Sequence, residues 1–468
     1  MQISYLGHDG FHVAPSDRGP SGANDAGGER GWLVDPWLTD DGAFAGSWFR
    51  YPPTDRLNKD GQTSDDKASP DTPTWRARWV DGAYGAIITQ PHSDHFDCGV
   101  VAALPKQTPA IVPRYPTSEL TDLLQLIGRR DVVELAPFEW HLLDPDLGVR
   151  VAFVQEVSLR LASATILQQG EPDDDDARTL VLLGEARLAS FQFRMIKRFV
   201  GGTVDLVTGR ALVADPQPLV SVIDEDRVRM RLRQTIRDRT EALVSASRIL
   251  EPKLLATAGA TVALLADELR PYNRTWQGGP YADVESVLET FRKRQIGSVS
   301  LLESGTRLAI GPDGPEIIDS PSVPPPTGAE IERVLDAYAE RLRDELGVLP
   351  DSIAPPLDDD ELESLPDLVA DHFERMLGED QSVARRLGLI LRLDFKGKAQ
   401  PVTVRFGEPC AVSIESGRPP AEGEGHAAES GSKLTLEVDP RWMKPVVESR
   451  WPWAEFLRSM RYRLVGVV

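Results

Sequence analysis

An apolar run that stops abruptly in a cluster of ionisable side chains constrains this chain more than anything else in it. Tyr84–Thr89, YGAIIT, reads as a buried strand, and QPHSDHFD follows it without a spacer. His92, Asp94, His95 and Asp97 lie within six residues. Polar groups two or three positions apart converge only where the backbone turns sharply after a rigid element, and Pro91 supplies that break. The fold must therefore bring the end of a buried strand to a sheltered edge where such groups can be satisfied. On chemistry alone two readings stand: a metal loop, or a charged loop whose histidines are held by hydrogen bonds. Imidazole and carboxylate together suit zinc, iron and manganese.

Bulk properties narrow the function. At 468 residues the chain is long enough for two or three domains with at least one large core. A net charge of −21 argues against nucleic acid, which needs surplus Lys and Arg on one face. The locally basic stretch RVRMRLRQTIRDR is read as a solvated helix face. No apolar run approaches the roughly 20 residues needed to span a membrane. The N-terminal MQISYLGHDG has no basic segment followed by an apolar one, so no signal peptide is expected, and the cytoplasm is the expected compartment. Cys98 and Cys410 are far apart and are the only cysteines, which excludes a disulfide framework and a CxxC zinc site.

Along the chain, QISYLG and GFHVAP read as a hairpin, WLVDP as a short buried strand, and residues 16–30 and 52–75 as loops rich in Gly or Pro. SELTDLLQLIG has helical spacing; RVAFVQEVSL, SATILQQG and TLVLLGEARL are strand-like; EPDDDDAR is a solvated turn lacking the spacing of a calcium loop. Residues 224–250 form a long amphipathic helix with Val228, Leu232, Ile236, Leu243 and Leu250 on one stripe. PKLLATAGATVALLA is a strand and turn, and YADVESVLETFRKR a helix. A Pro-rich linker at 311–327 separates a first domain, 1–310, from a second, 328–468. The second domain reads as α+β: two acidic helices, four strands and the aromatic helix WPWAEFLRSMRYR.

Three motifs in order, ISYLGHDGFHV, GWLVDPWL and ITQPHSDHFD, resemble the metallo-β-lactamase fold superfamily. The likeness is to the branch of the ascorbate-6-phosphate lactonases and CMP-N-acetylneuraminate hydroxylases. It covers roughly residues 1–290, with a weaker continuation in KLTLEVDPRWMKPVVESRWPWAEFLRSMRYRL. The resemblance implies an αββα sandwich with metal loops at one edge, followed by a smaller α+β domain. It implies His92, Asp94 and His95 as metal ligands, with Gln90 standing where that family has its first histidine. Further ligands fall at Glu156 and Glu185, with Asp267 (or Glu268) in the place of the last histidine. His8 then lies at the pocket floor, or is bonded within its own turn; Asp35 supports the ligands from behind, or caps its turn.

Two histidines with up to four carboxylates favour iron over zinc, with manganese also admitted. The leading expectation is an oxygenase or hydroxylase with two irons, a small-molecule substrate and an external electron donor. The alternatives are a metal-dependent hydrolase of the lactonase or esterase kind, and a non-catalytic relative whose substituted ligands no longer hold metal. Trp37, Phe44, Trp48, Phe49 and Tyr51 line a pocket or pack a long loop, with packing favoured. His12 is read as structural, His141, His372 and His426 have no cluster around them, and Cys98 lacks the base a nucleophile needs.

Overall fold

The computed structural model describes residues 1–15, 30–53, 75–144, 146, 148–158, 160–171, 177–212, 216–258, 261–273, 284–321, 329–379, 389–407, 410–415 and 432–466. The loops expected at 16–30 and 52–75 fall almost wholly outside these residues, as do the aspartate turn, the proline-rich half of the linker and His426.

Two large sheets carry the first part of the chain. In the eight-stranded sheet the order is Gly314–Asp319, Arg307–Gly311, Gln2–Gly7, Gly10–Ala14, Gly31–Val34, Ala83–Ile87, Ala110–Pro113 and Val132–Leu135. It is antiparallel as far as Gly31–Val34 and parallel beyond. The seven-stranded sheet runs Val299–Leu302, Leu254–Ala258, Leu206–Arg210, Arg178–Leu182, Ser163–Gln169, Val149–Gln155 and His141–Asp144. Its first four strands are parallel and the rest antiparallel.

Alternation along each strand builds the layers. Ile3, Phe11, Val34 and Ile111 of one sheet interleave with Phe153, Leu180, Leu206 and Ala256 of the other. The opposite faces take helices. Val207 and Leu255 pack under Ser190–Val200, Glu225–Leu250 and Val284–Lys293, while Leu33 and Ala86 pack under Cys98–Ala103 and Glu119–Leu126. The result is a four-layer αββα sandwich. The Glu225–Leu250 helix buries Val228, Leu232, Leu243 and Leu250, and Asp224 caps it by accepting from the Arg227 amide at 2.9 Å.

The remainder forms a five-stranded sheet, ordered Ala411–Ile414, Val402–Phe406, Leu389–Asp394, Ser432–Val438 and Tyr462–Gly466. Helices Asp359–Glu379, Pro440–Val447 and Trp453–Arg458 accompany it. Its apolar side merges with the sandwich. One continuous cluster holds Val369, Leu393, Val404 and Phe456 together with Trp37, Phe44 and Trp48, and it reaches the start of the long helix at Val228 and Leu232. Trp37, Phe44, Trp48, Phe49 and Tyr51 are all buried, so the aromatic segment packs.

Two sequence expectations change. Gly314–Asp319, placed in the linker, pairs with Arg307–Gly311 as an edge strand of the first sheet. The terminal helix expected over 451–463 is only Trp453–Arg458, and its Tyr462-Arg463 end belongs to strand Tyr462–Gly466; a separate helix, Pro440–Val447, precedes it. In both places pairing partners distant in sequence, Arg307–Gly311 and Ser432–Val438, decide the outcome.

Candidate functional site

The site forms where four strand ends meet at one edge of the sandwich. The first turn, Gly7-His8-Asp9-Gly10, joins Gln2–Gly7 to Gly10–Ala14. Its backbone is unusual: Gly7 has φ +102, and a Cβ there would meet Ser304 Oγ at 2.9 Å, while His8 itself is left-handed at φ 54. Asp35, after Gly31–Val34, has φ 40. Non-glycine residues held at positive φ persist only where surrounding contacts over-determine them. Here the contacts are polar. Asp35 accepts from Thr89 N at 2.7 Å and Thr89 Oγ1 at 2.5 Å, and its Oδ2 lies 3.1 Å from His95 Nδ1.

His95 is therefore gripped on Nδ1, and its Nε2 points into the centre. Asp94 Oδ2 and Asp9 Oδ2 stand 3.6 and 3.8 Å from that nitrogen, too far for a hydrogen bond and close enough to share one ion. Burial opposes a charge on this ring, yet Asp94 and Asp35 outweigh it and push His95 up to about 9. The same neighbours act in reverse on Asp94: against burial, His95 and the His8 bond hold its carboxyl below the usual range.

Arg210, at the end of Leu206–Arg210, enters the same space. Its Nη2 forms an ion pair with Asp9 Oδ2 at 2.6 Å and donates to Glu185 Oε1 at 3.0 Å. Its Nη1 is 3.2 Å from both His8 Nδ1 and Thr261 Oγ1. A guanidinium only donates, so His8 Nδ1 accepts and His8 Nε2–H donates to Asp94 Oδ2 at 2.8 Å. His8 is neutral, because burial and then Arg210 lower its pKa. Arg210 itself stays charged, since Asp9 and Glu185 more than offset its burial. Glu185 is likewise held ionised, well below its ordinary range, by Arg458 and Arg210 acting against burial.

The sequence-predicted residues separate into three sets. Asp94, His95 and Glu185 present donor atoms within 4.8 Å of one another, as do His8, Asp9 and His95. Asp35 stands behind His95. Gln90 and His92 are turned to each other: His92 Nδ1 lies 2.9 Å from Gln90 Oε1. With that ring pushed down to about 3 by burial and Arg458, Nδ1–H donates and Nε2 is left as an acceptor. Two residues are elsewhere. Glu156 is half-exposed and accepts from Ser158 Oγ at 2.9 Å and Arg187 N at 3.0 Å. Asp267 is exposed, and Glu268 pairs with Arg461. Thr261, shortly after strand Leu254–Ala258, reaches the centre instead, its Oγ1 3.2 Å from His8 Nδ1.

These placements test the metal expectation. A two-ion centre does not fit: Gln90 is engaged by His92, Glu156 faces away, and Arg210 holds a fixed positive charge among the carboxylates. A single ion fits. Asp94 Oδ1 and His95 Nε2 are buried without a hydrogen-bond partner among the described residues, and Glu185 lies beside them. A buried carboxylate oxygen and imidazole nitrogen so left are ordinarily satisfied by an ion or water.

Asp9, Arg210, Thr261, Glu455 and Arg458 were not read from the sequence. Arg210 had a signal, an arginine closing the short strand LVTGR. Glu455 and Arg458 had none, since they arrive from the far end of the chain. Glu455 accepts from Ser93 N and Ser93 Oγ at 3.1 and 2.8 Å, and Arg458 Nη2 is 3.4 Å from Glu185 Oε2. Asp97 is a helix cap. Its Oδ1 accepts from Val100 N at 3.1 Å and its Oδ2 from Leu38 N and Thr39 N at 3.0 and 2.9 Å. Cys98 is an exposed free thiol.

No protein-family model matches the chain, and no curated protein matches it in sequence. Solved structures similar to it include a possible metal-dependent hydrolase from Veillonella parvula, at 15% identity and TM-score 0.41, covering 66% of this chain and 98% of that one. An isothiocyanate hydrolase from Delia radicum gut bacteria gives 13% identity and TM-score 0.40, covering 66% and 100%. The metallo-beta-lactamase fold protein YhfI from Bacillus subtilis gives 9% identity and TM-score 0.34, covering 65% and 98%.

Proposed function

We propose that this chain is a hydrolase working with one divalent ion, held by Asp94, His95 and Glu185 with Asp9 alongside. One observation carries the reading: Asp94, His95 and Glu185 bring donor atoms within 4.8 Å of one another, and Asp94 Oδ1 and His95 Nε2 are buried without hydrogen-bond partners among the described residues. An ion there supplies Lewis acidity toward a carbonyl or phosphoryl oxygen. The chain's own groups do the positioning. Asp35 holds His95 by Nδ1 so that Nε2 faces inward, and His8 fixes Asp94 through Oδ2, leaving Oδ1 free. Neutral His92 offers Nε2 as an acceptor on the wall of the adjoining cleft.

A second reading rests on Arg210. Its guanidinium already neutralises Asp9 and Glu185, and a site balanced by a resident cation has less need of a metal. The two-iron oxygenase expected from the sequence is not carried forward, because Gln90 and Glu156 do not reach the centre. Elemental analysis of protein purified without chelator, beside His95→Ala, separates these readings. One ion per chain, absent from the variant and required for release of p-nitrophenol from an ester or phosphate, supports the hydrolase. No ion in either protein favours the arginine-balanced site, and two irons would reinstate the oxygenase.

A further inference from the structure

Next to the site lies a cleft of about 950 Å³ between the edge of the sandwich and the five-stranded sheet. That is the size of a small-molecule site. Its composition is polarised. Four arginines line it, Arg160, Arg187, Arg239 and Arg458, of which Arg160 and Arg458 both reach towards Glu185; the acids lining the cleft are Glu119 and Glu185. Four arginines against two glutamates is a local excess of positive charge in a chain of net charge −21.

Glu185 cannot balance that excess. Arg210 takes its Oε1 at 3.0 Å, Arg458 and Arg160 stand 3.4 and 3.6 Å from its Oε2, and Arg239 Nη1 is 3.5 Å from its main-chain oxygen. Arg239 Nε is buried without a hydrogen-bond partner among the described residues. Such a cluster is relieved by an anion.

The facing wall is apolar. Leu391, Leu434, Leu436 and Leu464 of the five-stranded sheet line it. Met376 and Leu457 beside them are 38% and 41% exposed, which is unusual for side chains of their size unless something covers them.

We propose that this cleft binds a small organic anion with an apolar body, its charged end among Arg160, Arg187, Arg239 and Arg458 and its body on the leucine wall. His92 and Glu185 line the same cleft, so the bond next to the anionic end is presented to the candidate metal position. Only that last step, from ligand to substrate, rests on the hydrolase reading.

The test is calorimetric titration of the full chain with octyl phosphate below its micellisation concentration, beside octanol, octyltrimethylammonium and inorganic phosphate, with and without EDTA. Octyl phosphate is expected to bind one per chain and at least tenfold more tightly than each of the other three. Arg187→Glu and Leu457→Asp, both at exposed positions that leave the fold intact, are each expected to weaken it by tenfold or more. Equal binding of octanol would mean an apolar groove without anion recognition. Equal binding of inorganic phosphate would mean a charge site without an apolar subsite. Either result, or no binding, overturns the proposal. Binding that persists in EDTA, with no hydrolytic activity even after Mn²⁺ or Zn²⁺ is restored, would leave the cleft assignment standing and overturn the hydrolase reading.

Discussion

Arg210 closes a strand that is buried along its whole length, and its guanidinium is enclosed by Asp9, Glu185, His8 and Thr261. Removing one partner of a buried ion pair strands the other charge, at a cost of about 3–5 kcal/mol. Arg210→Met should therefore lower thermal stability strongly in EDTA. Because it frees Asp9 and Glu185, added Mn²⁺ or Zn²⁺ should recover much of the loss. Melting curves with and without the ion check this, and an absence of recovery would count against a single-ion site. Asp35→Asn probes the other side of the centre. It keeps the size of the side chain and removes the charge facing His95 Nδ1. Loss of such a supporting group typically weakens metal binding by about 10–100-fold, which equilibrium dialysis reads directly.

At the scale of elements, Asp97 ties three pieces of chain together: the strand-end loop, the Cys98–Ala103 helix and the backbone at Leu38–Thr39. Asp97→Ala removes a helix cap and leaves buried amides unpaired, so a loss of about 1–3 kcal/mol is expected by chemical denaturation, with metal content unchanged. Glu455 joins the terminal helix to Ser93. Burial first, and then the charge of Asp94, pushes it up to about 7 from 4.5, with the Ser93 bonds pulling the other way. A carboxyl whose folded pKa is raised binds its proton more tightly folded than unfolded. Its contribution to stability is thus largest below about 4.5, falls as pH rises towards 7, and is flat above. Glu455→Gln should remove that slope from a plot of melting temperature against pH, and an unchanged slope would show that other groups set it.

For the whole molecule, the decisive fact is the shared core. Trp37, Phe44 and Trp48 belong to the sandwich by sequence and to the cluster of Leu393, Val404 and Phe456 by packing. Parts that share one apolar cluster unfold together. A single calorimetric transition is expected for the full chain, and two resolved transitions would contradict the packing. Removing residues 329–468 should expose Trp37, Phe44 and Trp48 to water and yield aggregated protein.

Much of this was legible in one dimension. Strands Gln2–Gly7, Gly10–Ala14, Gly31–Val34 and Leu254–Ala258 and the Glu225–Leu250 helix follow from local alternation, apolar runs and capping, which short stretches of chain carry in themselves. The grouping of His92, Asp94 and His95 was visible because they are neighbours on one turn. What the sequence left open was which atoms face each other. Glu156 and Asp267 have suitable chemistry at plausible positions, yet Glu156 accepts from the Arg187 amide and Asp267 faces solvent. Arg210 and Arg458 reach Glu185 from 25 and 273 residues away. Local sequence sets which elements form. The balance of charge in a buried site is settled by groups that only tertiary packing brings together, because desolvation and Coulomb terms depend on distances of a few ångströms and take no account of separation along the chain.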